Sequence, residues 1–205
     1  MRIILASKSP RRRELLSSLF DKFDIISREV DESLESDIHP ADGVRLLAIR
    51  KGAAVYEALL RERTVASGDG EASEDFLVLS SDTLVELSGV ALGKPEDEED
   101  AKRMLRSLSG KAHNVHTGVA IHYKDKLFAK TATTAVYFRE MTEEEISDYV
   151  ASGEPMDKAG AYGIQGLGGK FVSHYEGDFD TVVGLSMRVV RELYERAISE
   201  CGCDD

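Results

Sequence analysis

The chain has 205 residues, of which 42% are hydrophobic, 7% aromatic and 31% charged, the composition of a soluble globular protein rather than a disordered or fibrous one. Lys and Arg number 26 against 38 Asp and Glu, a net charge of −12, which argues against a general affinity for nucleic acid or an anionic membrane. No apolar run reaches the ~20 residues of a membrane span, the first residues lead straight into a strand rather than a signal peptide, and Cys201 and Cys203 are too close in the tail for an ordinary disulfide. These features point to a cytoplasmic protein.

Ile3 to Leu5 reads as a buried strand. Ser9-Pro10 then opens a helix, with Ser as N-cap and Pro in the first helical position. Residues 24–30 look like a second strand, and 42–60 like a helix on Val44, Leu47, Val55 and Ala58. Residues 61–76 are polar and read as a surface insertion. Phe76 to Ser80 is a buried strand that continues extended through Thr83 to Leu87 and turns at Ser88-Gly89. A helix over 97–108 carries Ala101, Met104, Leu105 and Leu108. Its acidic start, Glu96 to Asp100, complements the helix dipole better than it suits a metal site.

Val115, Val119 and Ile121 mark a strand, and residues 127–138 return from the Lys124–Lys126 turn as a hairpin arm. Thr142 and Glu145 form a capping box opening a helix that ends near Gly153. A Gly-rich loop runs from Lys158 to Gly169, a short strand from Phe171 to Tyr175, and a last helix from about Leu185. Mixed strands and helices with a central antiparallel hairpin predict an α/β or α+β sheet flanked by helices.

Two inward-pointing cations carry the chemistry. The apolar stripe of the first helix, Leu15, Leu16 and Leu19, extends back to Arg12, which therefore faces inward beside the helix N-terminus. A buried guanidinium needs a partner. That partner is either an anion held with Ser7, Ser9 and the free helix N–H groups, or a structural carboxylate. The 42–60 helix repeats the anomaly with Lys51, on the stripe of Val44, Leu47, Ala48 and Val55. A snorkelling lysine would explain one such residue, whereas two on separate helices tilt towards a shared anion. Asp82 closes the buried strand, and Asp31 and Glu32 follow the 24–30 segment. Carboxylates at strand ends can hold Mg²⁺ or orient water. No Walker loop, HExxH, CxxC or GxSxG is present.

At these residues the chain resembles the Maf family of septum-formation-inhibitor-like nucleoside triphosphate pyrophosphatases. The resemblance rests on LASKSPRRRELL at 5–16, VDE at 30–32, Lys51, SSDT at 80–83, GKP at 93–95, LSGKAHNVHTGV at 108–119 and DKAGAYGIQGLGGKFV at 157–172. It implies a single Maf-like domain over 1–205, two-lobed and mixed-sheet like the inosine triphosphate pyrophosphatases, with a central cleft. It implies hydrolysis of the α–β anhydride of a nucleoside triphosphate with Mg²⁺ or Mn²⁺. Asp82 is then the catalytic proton acceptor, Glu32 and Asp82 the metal-binding residues, and Ser7, Arg11, Arg12, Lys51 and Lys94 part of the substrate cleft. A homodimer is the state the family implies. Ser186 departs from the family's GLP pattern.

Thr83 and Gln165 resemble the branch acting on dTTP and UTP rather than the one acting on 7-methylguanosine triphosphate. A Gln amide both donates and accepts, so Gln165 suits the edge of thymine or uracil, with glycines 163, 166 and 168 leaving room for close approach of the base. Alternatives are a 7-methyl-GTP or inosine triphosphate pyrophosphatase, or a non-catalytic nucleotide-binding regulator of cell division.

Overall fold

The computed structural model describes residues 1–35, 37–66 and 75–201. Its centre is a mixed sheet of seven strands: β1 (Arg2–Leu5), β2 (Asp24–Ile25), β3 (Phe76–Leu87), β4 (Val90–Leu92), β5 (Ala112–Tyr123), β6 (Lys126–Phe138) and β7 (Val172–Glu176). The order is β2-β1-β3-β5-β6-β7, with β4 also on β3. β1 pairs in parallel with β2 and β3, and the remaining ladders are antiparallel. Six helices flank it: α1 (Pro10–Ser17), α2 (Pro40–Ala66), α3 (Glu98–Leu108), α4 (Glu143–Ala151), α5 (Phe179–Val183) and α6 (Met187–Cys201). No described helix is long and apolar enough to cross a membrane.

The long strands pass through two cores. One lobe packs Leu16, Leu193 and Ala197 on one sheet face, against Leu5, Leu79 and Ile121. On the opposite face, Val55 and Leu59 of α2 meet Ile4 and Val78. The other lobe gathers Val85, Val115 and Val136 with Leu105 of α3, Ile146 of α4 and Phe171. Thus β3, β5 and β6 serve both lobes. Between them β3 loses its outer neighbour: β1 ends opposite Leu79, and β4 begins opposite Val85. The chain also leaves β1 for β2 on one side and reaches β3 on the other, so the carboxyl end of β1 is a switch point of the kind where α/β proteins bind ligands.

Several expectations change. The second strand is confined to Asp24–Ile25; Ile26 adds one backbone bond to Leu5, and the chain then leaves the sheet. The second helix spans Pro40–Ala66, so residues 61–66 of the expected insertion are helical and Phe76 already belongs to β3; residues 67–74 lie outside the described residues. Asp82 does not close a strand but sits in the middle of the twelve-residue β3. The Gly-rich loop is wound into 3-10 turns at Ala159–Ala161 and Leu167–Phe171. Helix α5 is an addition. Ser186, where the family pattern differs, is buried and its hydroxyl accepts from Val189 N–H, capping α6.

Candidate active site

The site is assembled by close packing of α2 on the sheet. A Cβ at Gly118 of β5 would lie 2.5 Å from the carbonyl oxygen of Val44, and one at Gly52 of α2 would lie 2.6 Å from Ser80 Oγ. Both glycines therefore let helix and sheet approach more closely than side chains permit. Ser80 Oγ donates to the Ala48 carbonyl at 2.7 Å, fixing the helix's height on the strand. Lys51, one turn further along, is carried directly over Asp82.

Lys51 Nζ lies 2.5 Å from Asp82 Oδ1 and 2.8 Å from Glu32 Oε1. The expected snorkelling alternative is therefore absent: the ammonium ends on two carboxylates, not in water. Asp82 is 8% exposed, whereas the Glu32 side chain is 60% exposed, so the triad runs from the sheet interior to solvent. The hydrogen bond from Lys51 holds the Glu32 carboxyl below its usual range, against the opposing effect of burial and with help from the charges of Lys51 and Lys94. Arg50, beside Lys51, donates to the carbonyls of Asp31 and Ser33 at 3.2 and 2.6 Å. It thus grips the backbone on both sides of Glu32.

Arg12 lies on the other face of β3. Its Nε donates to the Gly184 carbonyl at 2.8 Å, Nη1 to the Ser81 carbonyl at 2.6 Å and to Ser7 Oγ at 3.5 Å, and Nη2 to Thr83 Oγ1 at 3.2 Å. Among the described residues no carboxylate forms an ion pair with it, so a structural ion pair is not what holds it. It is held by carbonyls and hydroxyls. Burial lowers its pKa and the charge of Asp82 acts in the opposite direction; a guanidinium remains protonated throughout. The Ser81 carbonyl it takes up is on the edge of β3 that β1 and β4 leave open. Arg12 thus stitches the gap to α1 and to the turn before α6.

Thr83 shares that face and so points away from Asp82. Thr117 Oγ1 donates its proton to the Thr181 carbonyl at 2.7 Å. Thr83 Oγ1, 3.0 Å from Thr117 Oγ1, must then donate to it, while accepting from Arg12. The proton of the Thr83 hydroxyl is thus used within the protein. Ser7 Oγ accepts from Ser9 N–H at 3.2 Å, and Ser9 caps α1. Arg11 is half-buried, and its charge helps hold Asp157 below the usual carboxylate range, after the larger effect of Lys158. Lys94 is exposed; its charge reaches Glu32, and the Gly93 carbonyl before it accepts from Gly160 N–H at 2.9 Å.

Gln165 is exposed, and its side chain makes no hydrogen bond among the described residues. The glycines around it border the protein's own side chains. A Cβ at Gly166 would lie 2.4 Å from Glu154 Oε1, and one at Gly168 would lie 2.6 Å from the Tyr149 hydroxyl. Both make room for the protein's own side chains.

Glu32 and Asp82 converge on one cation, as two oxygen donors. Magnesium is commonly held by one or two carboxylates together with substrate phosphates, so this donor set fits such an ion. Among the described residues no three His, Cys, Asp or Glu gather as a larger metal-binding group.

A family model described as Maf-like protein matches residues 2–197. The chain belongs to the Maf family. Among Maf relatives, the dTTP/UTP pyrophosphatase of Bacillus thuringiensis subsp. konkukian (strain 97-27) is 49% identical over 193 residues, covering 94% of this chain and 94% of its own. The dTTP/UTP pyrophosphatase of Bacillus cereus (strain ATCC 10987 / NRS 248) is 48% identical, covering 94% of this chain and 88% of its own. That of Bacillus anthracis (strain CDC 684 / NRRL 3495) is 49% identical. Among solved structures, the Staphylococcus aureus Ham1 protein aligns over 67% of this chain and 72% of its own at 15% identity, with a TM-score of 0.46.

The residues that sequence reading missed are those that position others: Gly118, Thr117, Arg50, Glu154 and Tyr149. Gly118 and Thr117 matter only through the register that sets them opposite Asp82 and Thr83. Nothing in the linear pattern announces that register.

Proposed function

We propose that the protein is a nucleoside triphosphate pyrophosphatase preferring dTTP and UTP, releasing the monophosphate and pyrophosphate in the cytoplasm. The observation that carries this reading is the Asp82–Lys51–Glu32 triad at the gap in the sheet, in a Maf-family chain whose relatives at 48–49% identity are dTTP/UTP pyrophosphatases. Asp82 accepts a proton from water, whose oxygen bonds to phosphorus as the α–β bridging P–O bond breaks and pyrophosphate leaves. Lys51 holds the two carboxylates close together, and Ser7, Arg11 and Lys94 offer donors and positive charge to phosphate oxygens. Arg12 presents its charge to the phosphates from its carbonyl clamp, which Thr83 helps to fix. A divalent cation held by Glu32 and Asp82 would supply neutralisation of the triphosphate's charge. Gln165 reads the pyrimidine edge.

The test is pyrophosphate release from dTTP, UTP, ATP, GTP, inosine triphosphate and 7-methyl-GTP with Mg²⁺ or Mn²⁺. Preference for dTTP and UTP, lost on chelation and restored by either metal, is the expected result. No release from any triphosphate would leave a nucleotide-binding regulator as the better reading. Preference for 7-methyl-GTP or inosine triphosphate would overturn the specificity alone.

A further inference from the structure

We propose that Glu154 is the positioning residue for base selection: its carboxylate, with the Tyr149 hydroxyl, fixes the loop that presents Gln165. This rests on Gln165 as the base reader.

The loop is tied from inside by one carboxylate. Glu154 Oε2 accepts from Leu167 N–H at 2.9 Å. Glu154 Oε1 accepts from Gly168 N–H at 3.2 Å and from the Tyr149 hydroxyl at 2.9 Å. The same hydroxyl accepts from Gly163 N–H at 3.2 Å. Loop N–H groups on both sides of Gln165 thus end on two side chains. Burial raises the Glu154 pKa, but these donors outweigh it and hold the group below its ordinary value, so the acceptor is an anion at neutral pH. Tyr149 is 1% exposed, and burial pushes its hydroxyl up, keeping it protonated and able to donate.

Glu154 itself is braced. Lys158 Nζ donates to its backbone carbonyl at 2.7 Å, and Pro155, which follows it, is buried. Gly166 and Gly168 admit the two anchors because any Cβ there would collide with them. Gln165 projects from this frame with no internal hydrogen bond among the described residues. A loop whose backbone is fixed and whose one amide side chain is left exposed is pre-organised to read a ligand.

Glu154→Gln discriminates sharply. An amide has one acceptor oxygen and one donor nitrogen. With the nitrogen at the Oε1 position, Gly168 N–H loses its acceptor; at the Oε2 position, Leu167 N–H does. Either orientation loosens the loop while side-chain volume stays the same.

The experiment measures kcat/KM for dTTP, UTP, ATP and GTP with Mg²⁺ in the wild type, Glu154→Gln, Gln165→Ala and the double variant. The pyrimidine preference in Glu154→Gln is expected to fall at least about tenfold, since small misplacements carry large kinetic effects, with kcat/KM for ATP changed by less than about threefold. Adding Glu154→Gln to Gln165→Ala is expected to erode the preference no further, because the two act as one unit. Wild-type preference in Glu154→Gln, or additive losses in the double variant, would overturn the proposal while leaving Gln165 as reader. Unchanged preference in Gln165→Ala would instead overturn the base-reading assignment, and the proposal with it. If Glu154→Gln fails to fold, Tyr149→Phe, which removes the shared hydroxyl and keeps the ring, carries the same expectation and the same criteria.

Discussion

Gly118 faces Asp82 across the β3–β5 ladder, and the space its missing side chain leaves is filled by the α2 backbone at Val44 and Arg45. The reach of Lys51 to Asp82 is thus set from the opposite strand. Gly118→Ala places a methyl group 2.5 Å from the Val44 carbonyl oxygen, which is backbone and cannot swing aside. We expect a stability loss of about 1–3 kcal/mol, the usual cost of overpacking, measured by urea unfolding. A larger fractional loss of pyrophosphate release should accompany it as Lys51 is lifted. A variant as stable and active as the wild type would show that α2 does not set the triad.

Asp82→Asn removes the proposed proton acceptor but keeps an oxygen for Lys51, which also retains Glu32. Turnover of dTTP should fall at least ~10²-fold. Because the amide leaves Lys51 with one remaining carboxylate, the stability loss should stay within about 2 kcal/mol. Normal turnover would remove Asp82 from the chemistry.

Arg50→Ala frees the carbonyls of Asp31 and Ser33 and so unfixes Glu32. The Mg²⁺ concentration giving half-maximal rate should rise several-fold, with little change in the rate at saturating Mg²⁺. A metal titration checks this, and an unchanged midpoint would show that Glu32 needs no such support.

His113 is 3% exposed, bonded through Nε2 to the Tyr162 hydroxyl at 2.8 Å, with no partner at Nδ1. Burial lowers its pKa from 6.5 to about 4. Between those values the unfolded chain binds more protons than the folded one, so stability rises with pH and is lost as pH falls from about 6.5 towards 4. The full contribution is roughly 3 kcal/mol. His113→Gln, which stays neutral, should flatten this part of the stability–pH curve. An equally steep curve in the variant would assign the acid sensitivity to carboxylates.

The helices and hairpins were legible because their signals are local. Ser9-Pro10, the Thr142–Glu145 capping box and the Leu105–Leu108 stripe need no tertiary information. The inward faces of Arg12 and Lys51 followed from helical spacing alone. Their partners did not. Lys51 meets Asp82 only because α2 settles onto Gly118, and Arg12 finds carbonyls because β1 and β4 stop short of one another along β3. The brief β2 was overestimated since β-branched residues such as Ile25, Ile26 and Val30 favour extended chain whether or not a neighbour is there to pair with it. The neighbours of the loop glycines were not legible for a related reason. A glycine reports that something comes close, and the sequence does not say whether that is a ligand or Glu154.

The strands β3, β5 and β6 run without interruption from one core to the other, so the lobes share a backbone ladder rather than a linker. Melting of either half would break ladders that continue into the other, which couples the two. Heating should therefore give a single transition whose calorimetric and van't Hoff enthalpies agree. Truncating Leu193 in one lobe or Leu105 in the other should lower that same midpoint. Cooperativity of this kind ties the durability of the gap between β1 and β4 to that of both cores.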